Sequence, residues 1–207
     1  MHRIVFTGAQ GTGKTTVLNQ IEASGKRVIT EVVRNLASKG VKINKDGDEK
    51  GQAAIFKEYE KLLGEITAEG YFSDRCLIDV VAYTMYLHET VKVSEKFLNK
   101  QIKTLQKFRE ANPDITYCYF PIEFPVVADG VRDMDEEFRA AIDRNIQKLM
   151  QICGVQPIYI RGSIEDRLQK IVRVYNWLSE GMMLYMSDIL ETSKANPDEN
   201  TCRKPEE

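Results

Sequence analysis

The fold of this chain is decided by residues 3–19, which read RIVFTGAQGTGKTTVLN. This stretch begins as a short apolar strand, passes through a glycine-rich loop and continues as an amphipathic helix. Its loop, at residues 8–15, matches the pattern G-x-x-x-x-G-K-[ST]. Glycines let backbone N–H groups converge on an anion, and the helix that follows points its N-terminus at the same place. The stretch therefore predicts a phosphate-binding P-loop.

The polar residues of the loop suggest a nucleotide as its ligand. Lys14 can reach the β- and γ-phosphates, and the Thr15 hydroxyl can hold Mg²⁺. We therefore expect ATP and Mg²⁺ as cofactors. An ordinary glycine turn is the alternative, and the flanking strand and helix disfavour it. The residues of this loop that we expect to bind the nucleotide are Gly8, Ala9, Gln10, Gly11, Thr12, Gly13, Lys14, Thr15 and Thr16.

The composition is typical of a soluble globular protein. The chain has 207 residues, of which 43% are hydrophobic and 29% charged. A formal net charge of −2 disfavours a surface built for nucleic-acid backbones. No apolar run approaches the ~18 residues of a membrane-spanning helix. A core strand is predicted within the first few residues, which leaves no room for a signal peptide, so we expect a cytoplasmic protein. The four widely spaced cysteines are expected to be reduced thiols.

Strand-like apolar segments alternate with helical patterns along the chain. This alternation favours a parallel sheet with helices on both faces, the three-layer α/β architecture of P-loop NTPases. We expect one domain over residues 1–191 and a polar C-terminal tail over 192–207. The strands are predicted at residues 4–6, 26–30, 71–73, 115–120 and 157–160, and the main helices at 13–23, 32–38, 53–66, 76–88, 94–110, 134–153 and from 163 onward.

Charged residues follow the second and third strands, whose carboxyl ends meet the P-loop at one edge of a parallel sheet. Glu31 can accept a proton from a substrate hydroxyl, or it is a solvated carboxylate at a helix start. Asp74 can hold Mg²⁺ or serve as the base itself; a helix cap is its alternative. Arg34 can bind the substrate or pair with Glu31. Arg75 is a further candidate for substrate binding.

The segment 121–133 contains two prolines and a glycine, so it is predicted to be a loop. Its length and its position after a strand favour a mobile lid over the site. Arg132, near its end, carries the side chain best suited to phosphate charge in a transition state. Arg139 and Arg144 on the next helix could add to it, although a solvated helical face is the favoured interpretation for both.

Taken together, these motifs resemble the P-loop kinase-like AAA-domain proteins. The chain is similar to the ribosylnicotinamide kinase domain of the bacterial NAD-biosynthesis regulator, and more distantly to deoxynucleoside and thymidylate kinases. Such proteins are frequent in phage and bacterial genomes. The resemblance spans approximately residues 3–175. Its motifs are GAQGTGKTT (8–16), ITEVVR (29–34), SDR (73–75), LIDVVAYTMY (77–86), ADGVR (128–132) and YIRGSIEDR (159–167).

The resemblance implies a strand order of 2-3-1-4-5 and roles for particular residues. Glu31 matches the carboxylate that ends the second strand in nucleoside kinases. Asp74 and Arg75 match the D-R or E-R pair after their third strand. Arg132 matches a lid arginine, and Gly162-Ser163 matches the loop on the adenine side. The residues that follow Arg75 are Cys-Leu-Ile-Asp and lack the tyrosine that is common in thymidylate kinases. This difference disfavours thymidylate as the substrate.

The function expected from the sequence is transfer of the γ-phosphate of ATP to a nucleoside or nucleoside monophosphate. Lys14, Glu31, Asp74 and Arg132 are the catalytic candidates, and either Glu31 or Asp74 is the base. The alternative is a P-loop ATPase or switch module that acts on a macromolecular partner. The absence of basic stripes and the long candidate lid favour the kinase, which must exclude water. We expect a small-molecule partner, no membrane and no strong nucleic-acid contact. The chain could also form a homodimer.

Overall fold

The computed structural model describes residues 2–65, 70–125 and 135–195. In these ranges the predicted strands and helices are present, with ends that shift by a few residues. Their order is β1 (Arg3–Thr7), α1 (Lys14–Ala23), β2 (Val28–Ile29), α2 (Val32–Ala37), a 3-10 turn (Asn44–Asp46), α3 (Glu49–Gly64), β3 (Tyr71–Ser73), α4 (Leu77–Glu89), α5 (Glu95–Ala111), β4 (Ile115–Tyr119), α6 (Glu136–Ile152), β5 (Ile158–Tyr159) and α7 (Ile164–Ala195).

The five strands form one parallel sheet in the order β2-β3-β1-β4-β5, which confirms the order implied by the resemblance. The edge strands β2 and β5 are each two residues long, shorter than predicted at 26–30 and 157–160. An edge strand has a neighbour on one side only, so fewer of its residues join the hydrogen-bonded ladder. The carboxyl ends of β1, β2 and β3 lie side by side at one edge of the sheet.

The sheet is the middle layer of three. Successive residues of β1 point to opposite faces. Val5 packs in the core shared with α3, α4, α5 and α6, whereas Ile4 and Phe6 pack in a second core with α1 and α7. All three side chains are fully buried. The predicted three-layer α/β fold is therefore confirmed.

Side-chain caps fix the starts of three helices. Asp48, Ser94 and Asp135 accept hydrogen bonds from backbone N–H groups in the first turns of α3, α5 and α6. Helix α7 continues through Ala195, past the predicted start of the tail at residue 192. No glycine or proline interrupts residues 192–195, so the helix has no local reason to end before them.

Part of the predicted lid falls outside the described residues. Residues 121–125 are described, whereas 126–134, which include Arg132, are not. The roles expected for that segment and for Arg132 therefore stay predictions. Within the described part of the chain, no helix combines the length and the apolar character needed to cross a bilayer.

Candidate active site

The glycine-rich loop joins β1 to α1 with the backbone geometry expected of a P-loop. Gly8, Gly11 and Gly13 have positive φ angles of 143°, 71° and 86°. A Cβ atom at Gly8 would lie 2.4 Å from the carbonyl oxygen of Phe120. Since the neighbouring atom belongs to the backbone and cannot move aside, glycine is the one residue type that fits at position 8, next to the end of β4.

Lys14 lies against the backbone of its own loop. Its ammonium donates to the carbonyl oxygens of Gly8 and Ala9, both at 2.7 Å, and to the hydroxyl of Thr12 at 3.2 Å. The Thr12 hydroxyl in turn donates to Ala9 O at 3.0 Å. These contacts hold the positive charge of Lys14 at the loop, where a phosphate oxygen would be able to bind it.

Thr15 and Asp74 meet across the P-loop and the end of β3. The Thr15 hydroxyl donates to Oδ2 of Asp74 at 3.1 Å. The other carboxylate oxygen, Oδ1, is buried and has no hydrogen-bond partner among the described residues. A hydroxyl beside a carboxylate oxygen is the donor set that Mg²⁺ prefers, and the unpaired Oδ1 leaves room for a further interaction.

Asp79 is a buried carboxylate that the sequence analysis missed. Its Oδ1 accepts from Gly8 N at 3.2 Å, and its Oδ2 accepts from Cys76 N at 3.0 Å. Cys76 and Asp79 form a capping box at the start of α4, so Cys76, and not Asp74, is the cap there. The spacing Cys-x-x-Asp was a weak signal, because capping boxes usually begin with Ser or Thr. Asp79 ties the P-loop to the Asp74–Arg75 turn.

Glu31 has a left-handed backbone, with φ of 60°, and occupies the N-cap position of α2 without a capping hydrogen bond to its side chain. A non-glycine residue in this region costs about 1–3 kcal/mol, and such strain is concentrated at functional sites. The Arg34 side chain lies 3.1 and 3.2 Å from the two carboxylate oxygens of Glu31. Of the two roles considered for Arg34, the pairing with Glu31 is thus present.

Arg75 lies between an aromatic ring and a carboxylate. Its guanidinium is 5.5 Å from the ring centroid of Tyr83 and 3.4 Å from Oδ1 of Asp79. Burial by itself lowers the pKa of Arg75, but Tyr83, Asp79 and Asp74 together raise it above its ordinary value. Arg75 therefore stays charged. Burial also raises the pKa of the nearby Tyr59, which stays a neutral phenol.

One cleft of about 420 Å³ connects these groups. On one side of the P-loop it is lined by Phe124, Pro125, Gly162, Ile164 and Arg167. Ser163 does not line it; its hydroxyl and its backbone N–H bind Asp166 at the start of α7. On the other side, the lining residues that carry charge or an aromatic ring are Glu31, Arg34, Tyr59, Asp74, Arg75, Asp79 and Tyr83.

The interpretation of Arg139 as part of a solvated helical face is wrong. Arg139 is 1% exposed, and its Nε donates to the P-loop carbonyl of Gln10 at 2.9 Å. Arg144, on the same helix, is exposed as predicted. Arg167 of α7, which the sequence analysis did not consider, is also buried and contacts Thr12 O. No local pattern marks either arginine, because each contacts residues more than 100 positions away in the sequence.

Solved nucleoside kinases share this fold. A deoxyadenosine kinase from M. mycoides, bound to dCMP and dCDP, superposes with a TM-score of 0.60 at 16% identity over 84% of this chain and 98% of that chain. The same enzyme with dATP gives 0.62 at 14% identity, over 86% of this chain and 100% of that one. At these identities the likeness shows the fold alone.

NadR protein in complex with NR superposes with a TM-score of 0.63 at 16% identity over 85% of this chain. The matched part is 51% of that protein, so this chain spans about half its length.

A search of curated protein sequences gives no match. The family model of the AAA domain matches residues 3–167, a range that holds the P-loop, Glu31 and Asp74. The chain therefore belongs to the AAA-domain family, with the P-loop fold of nucleoside kinases.

Proposed function

We propose that this protein is an ATP-dependent kinase that phosphorylates a hydroxyl group of a nucleoside or nucleoside monophosphate. One observation carries the proposal: Glu31, Asp74 and Arg75 line the same cleft as Lys14 and Thr15 of the P-loop. Phosphoryl transfer needs few protein groups beyond phosphate clamps, a metal site and a residue that orients the nucleophile. The cleft offers a candidate for each of these roles.

The donor half of the proposed site is the P-loop with the wall beside it. The backbone N–H groups of the loop and the N-terminus of α1 would hold the phosphates of ATP, and the Lys14 ammonium would bind their outer oxygens. Phe124, Pro125 and Gly162 would form the adenine side. Because the Ser163 hydroxyl is used by Asp166, any contact of Ser163 with the nucleotide would come from its backbone.

Thr15 and Asp74 would hold Mg²⁺ with the nucleotide. When bound, the cation would neutralise charge on the phosphate oxygens. The fit rests on the hydroxyl–carboxylate pair and on the unpaired Oδ1 of Asp74. Asp74 is also the second candidate for the base.

The acceptor half is proposed to lie between Glu31 and Arg75. Glu31 would accept the proton of the substrate hydroxyl while that oxygen attacks the γ-phosphorus and ADP leaves. Arg34 would orient the Glu31 carboxylate through their ion pair, and Arg75 would bind the acceptor. Tyr59 and Tyr83 give the cleft wall flat apolar surfaces, against which a nucleobase can stack. Arg132 is proposed to stabilise the transferring phosphoryl group.

ADP release measured with and without an acceptor tests this proposal. The assay uses ATP, Mg²⁺ and a panel of nucleosides and nucleoside monophosphates. We expect at least one acceptor to increase ADP release well above the background rate. Lys14→Ala should abolish it, whereas Lys39→Ala, which changes an exposed lysine, should not. A rate that no acceptor in the panel changes would refute the kinase function.

One feature of the structure favours the alternative, a P-loop ATPase acting on a polyanionic macromolecule. Helix α5 carries four exposed lysines on one face, at positions 96, 100, 103 and 107. In the part of the chain that the structure describes, none of them forms an ion pair. The expectation that the chain has no basic stripe is therefore wrong. ATP hydrolysis that a single-stranded oligonucleotide stimulates, and that Lys100→Glu with Lys103→Glu abolishes, would support this alternative over the kinase.

A further inference from the structure

Two buried arginines contact the P-loop on the side to which the carbonyl groups of residues 10–12 point. One of them, Arg167, also lines the cleft, whereas Arg139 is not among the lining residues. Arg139 comes from α6 and Arg167 from α7, and their side chains are 1% and 2% exposed. Such burial is unusual for arginine, which is almost never fully buried unless it is paired. The contacts of the two guanidinium groups explain it.

Arg139 binds two consecutive carbonyl groups of the loop. Its Nε donates to Gln10 O at 2.9 Å, and its Nη2 donates to Gly11 O at 3.3 Å. Its Nη1 donates to Phe124 O at 2.8 Å, on the adenine side of the cleft. One guanidinium thus joins the P-loop to the segment that follows β4.

Arg167 binds the next carbonyl. Its Nη1 donates to Thr12 O at 2.5 Å, and its Nε donates to Gly162 O at 2.9 Å. Its guanidinium lies 5.6 Å from the ring centroid of Phe120 and 4.9 Å from that of Phe124. A Cβ atom at Gly13 would lie 2.7 Å from Nη1 of Arg167, so the guanidinium packs directly against the loop.

Both arginines are paired with carboxylates, so their effect on the site is mainly geometric. Arg139 Nη1 lies 3.2 Å from Glu136, and Arg167 Nη2 lies 2.6 Å from Glu123. Each pair is formally neutral. The added positive potential at the P-loop is therefore small compared with the effect of fixing where its carbonyl groups point.

The orientation of these carbonyls fixes the N–H groups. In a trans peptide unit, the C=O of one residue and the N–H of the next point in opposite directions. Holding the carbonyls of residues 10, 11 and 12 toward the arginines therefore directs the N–H groups of residues 11, 12 and 13 to the opposite side. We infer that Arg139 and Arg167 are positioning residues that hold the P-loop ready to bind the phosphates of ATP. This inference rests on the nucleotide-binding half of the proposed function.

A purely structural role of these arginines predicts a different result from a positioning role. If they only support folding, substitution lowers the fraction of protein able to bind, and the molecules that remain folded keep their affinity. If they position the loop, the folded molecules themselves bind the phosphates more weakly. Titration calorimetry separates the two cases, because it gives the number of sites and the dissociation constant independently.

The experiment titrates ATP, in the presence of Mg²⁺, into the unaltered protein, Arg139→Met, Arg167→Met and the control Arg144→Met. Arg144 is an exposed arginine of the same helix as Arg139. We expect the dissociation constant to rise at least about tenfold for Arg139→Met and Arg167→Met, with close to one site per chain, and to stay unchanged for Arg144→Met. Unchanged constants in both Met variants, whatever their number of sites, would overturn the inference.

Lysine variants keep the experiment decisive if a methionine variant does not fold. Arg139→Lys and Arg167→Lys retain the charge but not the fork of donors that reaches several carbonyls at once. We expect the lysine variants to have a dissociation constant for ATP that is higher than that of the unaltered protein but raised less than about tenfold. An unchanged dissociation constant would overturn the inference. Failure of the unaltered protein to bind ATP would refute the proposed function itself, which is a distinguishable outcome.

Discussion

The hydroxyl of Thr15 donates to Oδ2 of Asp74 at 3.1 Å, while Oδ1 of the same carboxylate is buried without a hydrogen-bond partner among the described residues. The two residues belong to different strand ends, the P-loop after β1 and the turn after β3. The cleft therefore has a hydroxyl and a carboxylate side by side. A buried carboxylate oxygen without a partner is costly, and a cation bound with the nucleotide would remove that cost.

Asp74→Asn should therefore weaken the binding of Mg²⁺. Replacing one carboxylate oxygen by an amide removes the negative charge, and we expect the Mg²⁺ concentration for half-maximal ATP turnover to rise about tenfold, equivalent to ~1.4 kcal/mol. Asp46→Asn, which changes an exposed aspartate, is the matched control. Identical magnesium titrations for the unaltered protein and Asp74→Asn would show that Asp74 is not a metal ligand.

Glu31→Gln tests the proposed base. The amide has the same shape but cannot accept a proton, so we expect kcat to fall about 10²- to 10⁴-fold while KM for ATP stays the same. Glu22→Gln, on the exposed face of α1, should leave kcat unchanged. A kcat close to that of the unaltered protein in Glu31→Gln would transfer the role of base to Asp74.

Gly8→Ala should destabilise the fold far more than an alanine at another glycine of positive φ. At Gly8 the added methyl would lie 2.4 Å from Phe120 O, whereas at Gly25, with φ of 83°, nothing lies within 4 Å. We expect a loss of about 1 kcal/mol in the free energy of unfolding for Gly25→Ala, and of about 3 kcal/mol or more for Gly8→Ala. Urea denaturation measures both, and equal losses would mean that the close approach to β4 does not matter.

The ion pair between Arg3 and Asp114 should make stability fall in acid. Arg3 Nε donates to Asp114 Oδ2 at 2.8 Å, and this hydrogen bond, more than the opposing burial, lowers the pKa of Asp114 below its ordinary value of 3.8. Because the pKa is lower in the folded state, the stabilisation is complete above about pH 4 and is lost as the pH falls through the folded-state pKa.

Asp114→Asn provides the measurement. Asp114 is more than half exposed, so we expect the substitution to cost only about 1 kcal/mol at pH 7. The difference from the unaltered protein should shrink below pH 4, as Asp114 becomes protonated in the latter. A difference that stays constant between pH 7 and pH 3 would contradict this explanation.

The parts of the site that could be predicted from the sequence are those that short, contiguous sequence patterns encode. The loop from Gly8 to Thr15 combines a strand, glycines and a helix within a few residues, and this local chemistry predicts its structure. Glu31 and Asp74 were found because parallel strands end at the same edge of a sheet. The strand order followed from resemblance, since spacing alone does not determine which strands are neighbours.

The residues that were missed act over long distances in the sequence. Arg139 and Arg167 bind P-loop carbonyls from helices that follow β4 and β5, and Asp79 binds Gly8 N from α4. Their positions depend on how the layers pack, which a linear pattern does not encode. An arginine on an amphipathic helix looks the same in the sequence whether it faces solvent or binds the carbonyl groups of a distant loop.

The destination of the γ-phosphate tests the central claim most directly. ATP labelled in its γ-phosphate is incubated with the protein, Mg²⁺ and each member of the acceptor panel, and the labelled products are separated. A kinase predicts that, with at least one nucleoside or nucleoside monophosphate, the label moves to that acceptor, and that Glu31→Gln or Asp74→Asn strongly reduces this transfer. Label that is found only in inorganic phosphate with every acceptor would contradict it.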